Sequence, residues 1–156
     1  MSTIKVDTYL TRGGASEIAI DKLKGVSSAS SISVVAEGGS TTTNLQQGLV
    51  KTWMQFDGTS TAALADSLNV GGLTDNGTGN YTPSFTNNMG NANYSATVNA
   101  KLHSLGSDEY RQTTVDTFAA GSIKVQSLEP FLGGGSADLR QVDADINCVQ
   151  ISGDLA

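Results

Sequence analysis

The feature that most limits what this chain can fold into is an alternation with a period of two. Ile4, Val6, Thr8 and Leu10 fall on one side of an extended segment, with Lys5, Asp7 and Tyr9 on the other. Val50, Thr52, Met54 and Phe56 repeat the pattern against Lys51, Trp53 and Gln55, and Tyr81, Pro83 and Phe85 share one face of a later run. Successive side chains of a strand point to opposite faces, so such runs bury one face and wet the other. A helix needs apolar residues three and four apart. Only Ser16 to Lys24 offers that alternative, through Ile18, Ala19, Ile20 and Leu23, with Ser16 as N-cap and Gly25 as the stop.

The alternating runs are short and closely punctuated. Asp57-Gly58 supplies one turn, and Asp75-Asn76-Gly77-Thr78-Gly79 reverses the chain between Leu68–Thr74 and Tyr81. Asn and Gly tolerate the positive φ that a tight hairpin needs. Further strands are expected over Tyr94–Leu102, Gln112–Phe118, Ser122–Leu128 and Ile146–Ile151. Pro83 has no N–H to give a ladder, which predicts an edge strand or a bulge there. Strands recurring every ~8–12 residues with little helical periodicity predict an all-β fold, an antiparallel β-sandwich of jelly-roll or Ig-like type. Ser, Thr, Asn and Gly make up roughly 40% of the 156 residues and gather at these turns. They also fill Ser27–Ser33 and Ser40–Asn44, so residues 1–48 read as an extended N-terminal arm and 49–156 as the sandwich domain.

Charge and the rare residues remove whole classes of function. A formal net charge of −6 without a basic cluster predicts no nucleic-acid partner. One cysteine cannot form an intramolecular disulfide, and one histidine beside one cysteine is a poor zinc set. No run approaches the ~18 apolar residues of a membrane span, so no membrane insertion is expected. Met1-Ser2-Thr3-Ile4-Lys5-Val6-Asp7 lacks the apolar stretch of a secretion signal, and the protein is expected to stay where it is made until something releases it.

The chemistry-bearing side chains are few and scattered. His103 has no sign of an activated nucleophile beside it in Ser104 or Cys148, and Cys148 is expected to be a buried, inert thiol of the last strand. Asp143, Asp145 and Asn147 alternate like the start of a calcium loop. An EF-hand, however, needs glycine where Cys148 stands and glutamate where Asp154 stands. Asp108-Glu109 are adjacent, which does not set two carboxyls about 5–10 Å apart across a sugar. Gly133-Gly134-Gly135-Ser136 lacks the Gly-Lys-Ser/Thr of a phosphate loop. No catalytic residue, metal or cofactor is expected, and the protein reads as a non-enzyme. Glycan cleavage at Asp108, Glu109 or Asp143 ranks last among the readings.

The aromatic residues Trp53, Phe56, Tyr81, Phe85 and Tyr94 lie close together in the chain. Most are expected to fill the sandwich core, each burying about 150–250 Å². The alternative places Trp53, Tyr81, Tyr94 and, in the loop after Phe85, Asn91 against a host-surface glycan. An aromatic platform of that kind requires Trp53 and at least one tyrosine to be exposed together.

The segment Lys51-Thr52-Trp53-Met54-Gln55-Phe56-Asp57-Gly58-Thr59-Ser60-Thr61 resembles a Lys-Ala-Trp-Val-Asn-Phe-Asn-Gly-Thr-Gly-Thr pattern. That pattern belongs to small tail-fibre-like proteins of marine bacteriophages, notably those of cyanobacteria. The similarity continues through Asp66–Val70, Leu73–Thr82, Phe85–Met89 and Ala92–Ser95, with weaker likeness at Met1–Val6 and Gly153–Ala156. It departs at Met54, Gln55, Asp57 and Pro83, and residues 100–145 match poorly, as suits a surface that varies with its partner. The resemblance implies a virion structural protein, made in the host cytoplasm and sited on the surface of the particle. It implies a short surface appendage or capsid-decorating knob, joined to other capsid or tail proteins through the arm. A homo-oligomer, with a trimer favoured, goes with it. The alternative is the carbohydrate-binding, receptor-recognition tip of a tail fibre.

Overall fold

The computed structural model describes residues 13, 21–23, 32–101, 112–133 and 136–156. The strand expected at Ile4–Leu10, all but residues 21–23 of the helical alternative, and His103, Asp108 and Glu109 lie outside the described residues. The elements run β1 (Ser33–Val35), β2 (Thr42–Asn44), α1 (Leu45–Gly48), β3 (Val50–Asp57), β4 (Ala63–Leu68), β5 (Val70–Asp75) and β6 (Asn80–Phe85). Then come β7 (Ser95–Lys101), β8 (Gln112–Ala119), β9 (Ser122–Gly133), β10 (Ser136–Gln141) and β11 (Ile146–Ser152). Every ladder is antiparallel. One sheet has the order β4-β3-β11-β7; the other runs β10-β9-β6-β5, with β8 also on β9. They pack face to face as an all-β sandwich, and β1-β2 forms a separate two-stranded hairpin.

Alternation decides which side chains meet between the sheets. Thr52, Met54 and Phe56 of β3 and Asn147, Val149 and Ile151 of β11 point inward from the four-stranded sheet. Tyr81, Pro83 and Phe85 of β6 and Ile123, Val125 and Ser127 of β9 answer them from the other. Phe56 and Tyr81 meet across the interface edge to face, with ring centroids 5.1 Å apart. At about 25 cal/mol per Å², rings of this size each contribute on the order of 4–6 kcal/mol before conformational entropy is counted.

Two expectations need correction. Pro83 is not at an edge: β6 lies between β5 and β9, and Pro83 is fully buried. The β6–β9 ladder pairs Tyr81 with Val125 and Ser84 with Ser122 in one continuous register, skipping only the two residues between. The missing N–H is absorbed as a gap, and the bulge of this region falls on the partner strand, between Val70 and Gly72.

The expected strand Leu68–Thr74 is in fact two strands in different sheets. Asn69 turns the corner between them at φ 59°, a left-handed conformation that asparagine tolerates better than most side chains. Its amide is fully engaged: Nδ2 donates to Thr52 Oγ1 (3.1 Å) and to the Asn87 carbonyl (3.0 Å), while Oδ1 accepts from the Asn87 N–H (2.7 Å).

At the opposite end of β3 a set of buried polar groups closes the sandwich. The Tyr81 hydroxyl donates to Asp143 Oδ1 (2.7 Å), with the Gly58 carbonyl also in reach at 2.9 Å. The same carboxylate oxygen accepts the Gly79 N–H at 2.7 Å. Beside it Ser127 Oγ donates to Asn147 Oδ1 (2.6 Å), and Asn147 Nδ2 donates to the Ala144 carbonyl (3.0 Å). A β-carbon on Gly58 would stand 2.3 Å from the Tyr81 hydroxyl oxygen. Gly58→Ala is therefore expected to lower stability by about 2–4 kcal/mol, because it displaces a buried hydrogen-bonded hydroxyl. Asn69→Ala is expected to cost about 1–3 kcal/mol and Asn69→Gly less, since glycine restores the backbone but not the side-chain bonds. Denaturant midpoints at constant m-value measure both.

Candidate functional site

The outer face of the four-stranded sheet is built by the positions that the core leaves over. Register places side chains in rows across four strands. Leu68, Trp53, Gln150 and Thr97 form one row, and Asp66, Gln55, Cys148 and Asn99 form the next. Trp53 keeps 36% of its surface exposed. Around it lies a shallow groove of about 450 Å³, lined by Gln55, Asp66, Thr97, Asn99, Cys148 and Gln150. Asp66 Oδ1 accepts the Ser67 N–H at 2.8 Å. Gln55 Nε2 sits 4.0 Å from Cys148 Sγ, the outermost range of a sulfur contact. Thr97, Asn99 and Gln150 make no side-chain hydrogen bond to another described residue.

Most of the aromatic residues fill the core as expected, and the aromatic platform offered as the alternative is not present. Tyr81 is fully buried and Tyr94 nearly so, and both serve the core. Tyr94 packs on Phe85 and Phe118, with centroids 6.0 and 5.2 Å away, and its hydroxyl reaches the Ser122 carbonyl at 2.9 Å. Asn91 is exposed in the loop after β6, where its Oδ1 accepts the Asn93 N–H at 2.7 Å. Of the four candidates only Trp53 belongs to the groove. Cys148 is also corrected: it is exposed, because the inward positions of β11 are Asn147, Val149 and Ile151. Asp143 and Asn147 do not converge on a calcium position; one carries Tyr81 and Gly79, the other faces Ser127 in the core.

A second feature lies where the chain enters the sandwich. Leu49, Leu68 and Leu155 are 52%, 48% and 44% exposed and line a groove of about 750 Å³ with Val50 and Lys51. The C-terminal segment forms its wall, held by Gly90 N–H to the Asp154 carbonyl (2.8 Å) and Ala156 N–H to the Asn88 carbonyl (2.9 Å). Gln47 Nε2 also donates to Asp154 Oδ1, tying α1 to that wall.

Gln55, Asp66, Thr97, Asn99 and Gln150 escaped sequence reasoning. Their outward direction was readable, since Gln55 shares the parity of Trp53. Their assembly depends on pairing between strands far apart in the chain. Comparison with protein-family models, with curated proteins and with solved structures finds no match to this chain.

Burial, then the Asp143 carboxylate, pushes the Tyr81 phenol well above its ordinary range, and burial raises Tyr94 as well. A phenol whose ionisation the fold suppresses stabilises fully below its unfolded value of about 10 and loses that stabilisation as pH rises beyond it. Stability is therefore expected to fall above about pH 10, and Tyr81→Phe to flatten that fall while lowering stability at neutral pH by about 1–3 kcal/mol. Denaturant curves across the alkaline range provide the check. Cys148 is expected to react stoichiometrically with a thiol reagent in the native state, at a rate independent of global unfolding. Labelling that occurs only in denaturant would contradict its exposure.

Proposed function

We propose that the protein is a bacteriophage virion structural protein, a short surface appendage or capsid-decorating knob of tail-fibre type, acting by assembly and surface contact rather than catalysis. The observation that carries this reading is the β1–β2 hairpin. All of β1 is exposed, with Val34 at 51% and Val35 at 58%, and among the described elements the hairpin packs chiefly on α1. A two-stranded hairpin is at best marginal alone in water, so one that displays valines is suited to being completed by a partner. That is the property expected of an anchoring arm. The resemblance of residues 51–95 to marine phage tail-fibre-like proteins supplies the kind of partner, a capsid or tail protein.

The groove formed by Leu49, Leu68 and Leu155 supports the homo-oligomer in the same reading, with a trimer favoured. Exposed leucines gathered at one end of a sandwich fit a closed symmetric contact between copies. The particle surface is the place of action, after synthesis in the host cytoplasm.

Full-length protein carrying Val34→Asp and Val35→Asp is expected to fold normally, because neither side chain enters the core, yet to be lost from purified particles. Mass spectrometry of virions made with wild-type and variant chains measures the loss as at least tenfold. Undiminished incorporation of the variant would overturn the anchoring role. Localising the wild-type chain on the particle by cryo-electron microscopy tests the reading as a whole.

A further inference from the structure

We infer that the turn between β5 and β6 modifies itself, converting Asn76 to aspartate or isoaspartate with the Gly77 nitrogen as nucleophile and Asp75 as base. The inference goes beyond the virion reading and can fail independently of it. Asn76-Gly77 is the one Asn-Gly pair of the chain. A glycine after the asparagine has no β-carbon to shield its backbone nitrogen from the side-chain amide. Asn76 and Gly77 are both exposed, so water reaches the turn. Gly77 adopts φ 114°, and nothing lies within 4 Å of where a β-carbon would stand on it.

The groups that the reaction needs are already in place at both ends of the asparagine. The Gly77 N–H donates to Asp75 Oδ1 at 2.8 Å, which aims the proton that must leave at a carboxylate. Asn76 Nδ2, the atom that must depart, donates to Thr82 Oγ1 at 2.8 Å. Two backbone bonds, Asn76 N–H to the Asn80 carbonyl (2.9 Å) and Asn80 N–H to the Gly77 carbonyl (3.0 Å), hold the turn closed around them. Such fixed placement replaces a chance encounter with a standing one. The Gly77 nitrogen attacks Asn76 Cγ while its proton passes to Asp75. The new C–N bond closes a succinimide ring, the Cγ–Nδ2 bond breaks, and the nitrogen leaves as ammonia with the proton that Asp75 returns through solvent. One water then opens the ring at either carbonyl, giving aspartate or isoaspartate.

The position of the turn gives the conversion a structural consequence. Either product sets a second carboxylate beside Asp75 and loses the Nδ2 donor to Thr82. Isoaspartate also adds a backbone atom to the turn that the Asn80 bonds close. Gly79, in the same turn, gives its N–H to Asp143, the carboxylate that also holds the Tyr81 hydroxyl. Conversion of Asn76 thus loosens the polar contact between the sheets, and the folded chain ages from this turn.

Full-length protein is incubated at neutral pH and physiological temperature, once native and once unfolded in urea. Peptides spanning Asn76 are followed by mass spectrometry with electron-transfer fragmentation, which separates isoaspartate from aspartate. The expected result is a one-dalton gain that accumulates at Asn76 ahead of every other asparagine, at least as fast in the native chain as in urea. Asp75→Asn keeps an oxygen for the Gly77 N–H but removes the base, and should slow the native reaction about tenfold with an unchanged melting temperature. Converted chains, separated by anion exchange, should melt below unconverted ones. Slower conversion in the native chain than in urea overturns the inference, because the fold then protects the pair. An unchanged rate in Asp75→Asn also overturns it, as does a first conversion at any other asparagine.

Discussion

The sandwich depends on how its two sheets are held at the Gly58 end of β3. Apolar packing brings the sheets together but does not by itself fix their relative register. The Tyr81 hydroxyl and Asp143 do so, because they join β6 to the segment before β11 and, through Gly58, to the end of β3. The neighbouring Ser127–Asn147 bond spans from β9 to β11. Tyr81, Ser127 and Asn147 are buried and Asp143 is half-buried, so each depends largely on the others for its hydrogen bonds, and an unpaired buried member would cost its desolvation. Gly79 is part of the same arrangement: it adopts φ 62°, and a β-carbon there would meet the Val142 backbone nitrogen at 2.5 Å. A short polar loop between β5 and β6 is thereby pinned to Ser127 of β9 and to the segment between β10 and β11.

Much of this fold was legible in the sequence, for a definite reason. The period of two and the Asn-Gly turns are local properties, and the strands they mark at Val50, Tyr81, Ser122 and Ile146 begin within a residue of the observed elements, although β9 continues past Leu128 to Gly133. Local signals failed where tertiary structure decided the outcome. Nothing between Leu68 and Thr74 announces a change of sheet, since Asn69 reads as an ordinary polar residue until Thr52 and Asn87 are placed beside its amide. Pro83 was read from the rule that proline avoids central strands, yet here the ladder simply omits it. Cys148 was assigned to the core by residue type, although its parity within β11 puts it on the outside.

The candidate site shows the same division. Trp53 stands out as the only tryptophan, and the two tyrosines that the glycan alternative sets beside it are core residues. Tyrosine is chemically ambiguous in this respect: a buried ring with a bonded hydroxyl and an exposed stacking ring have the same sequence signature. The real neighbours of Trp53 are amides and a carboxylate, residue types so common on outward strand positions that only the cross-strand register distinguishes them. A face of this kind becomes visible when β3 is seen to lie between β4 and β11.

The distribution of charge connects the two ends of the molecule to its manner of association. Residues 1–48 hold four basic and four acidic side chains, so the whole formal charge of −6 is carried by residues 49–156. Sandwiches brought together broadside would oppose like charge to like charge, a repulsion that persists within a Debye length of about 8 Å at physiological salt. Residues 1–48 carry no net formal charge, and the groove of Leu49, Leu68 and Leu155 holds one cation, Lys51, beside one carboxylate, Asp154. Under the proposed assembly, contact through that end would set less like charge against like charge than a broadside contact.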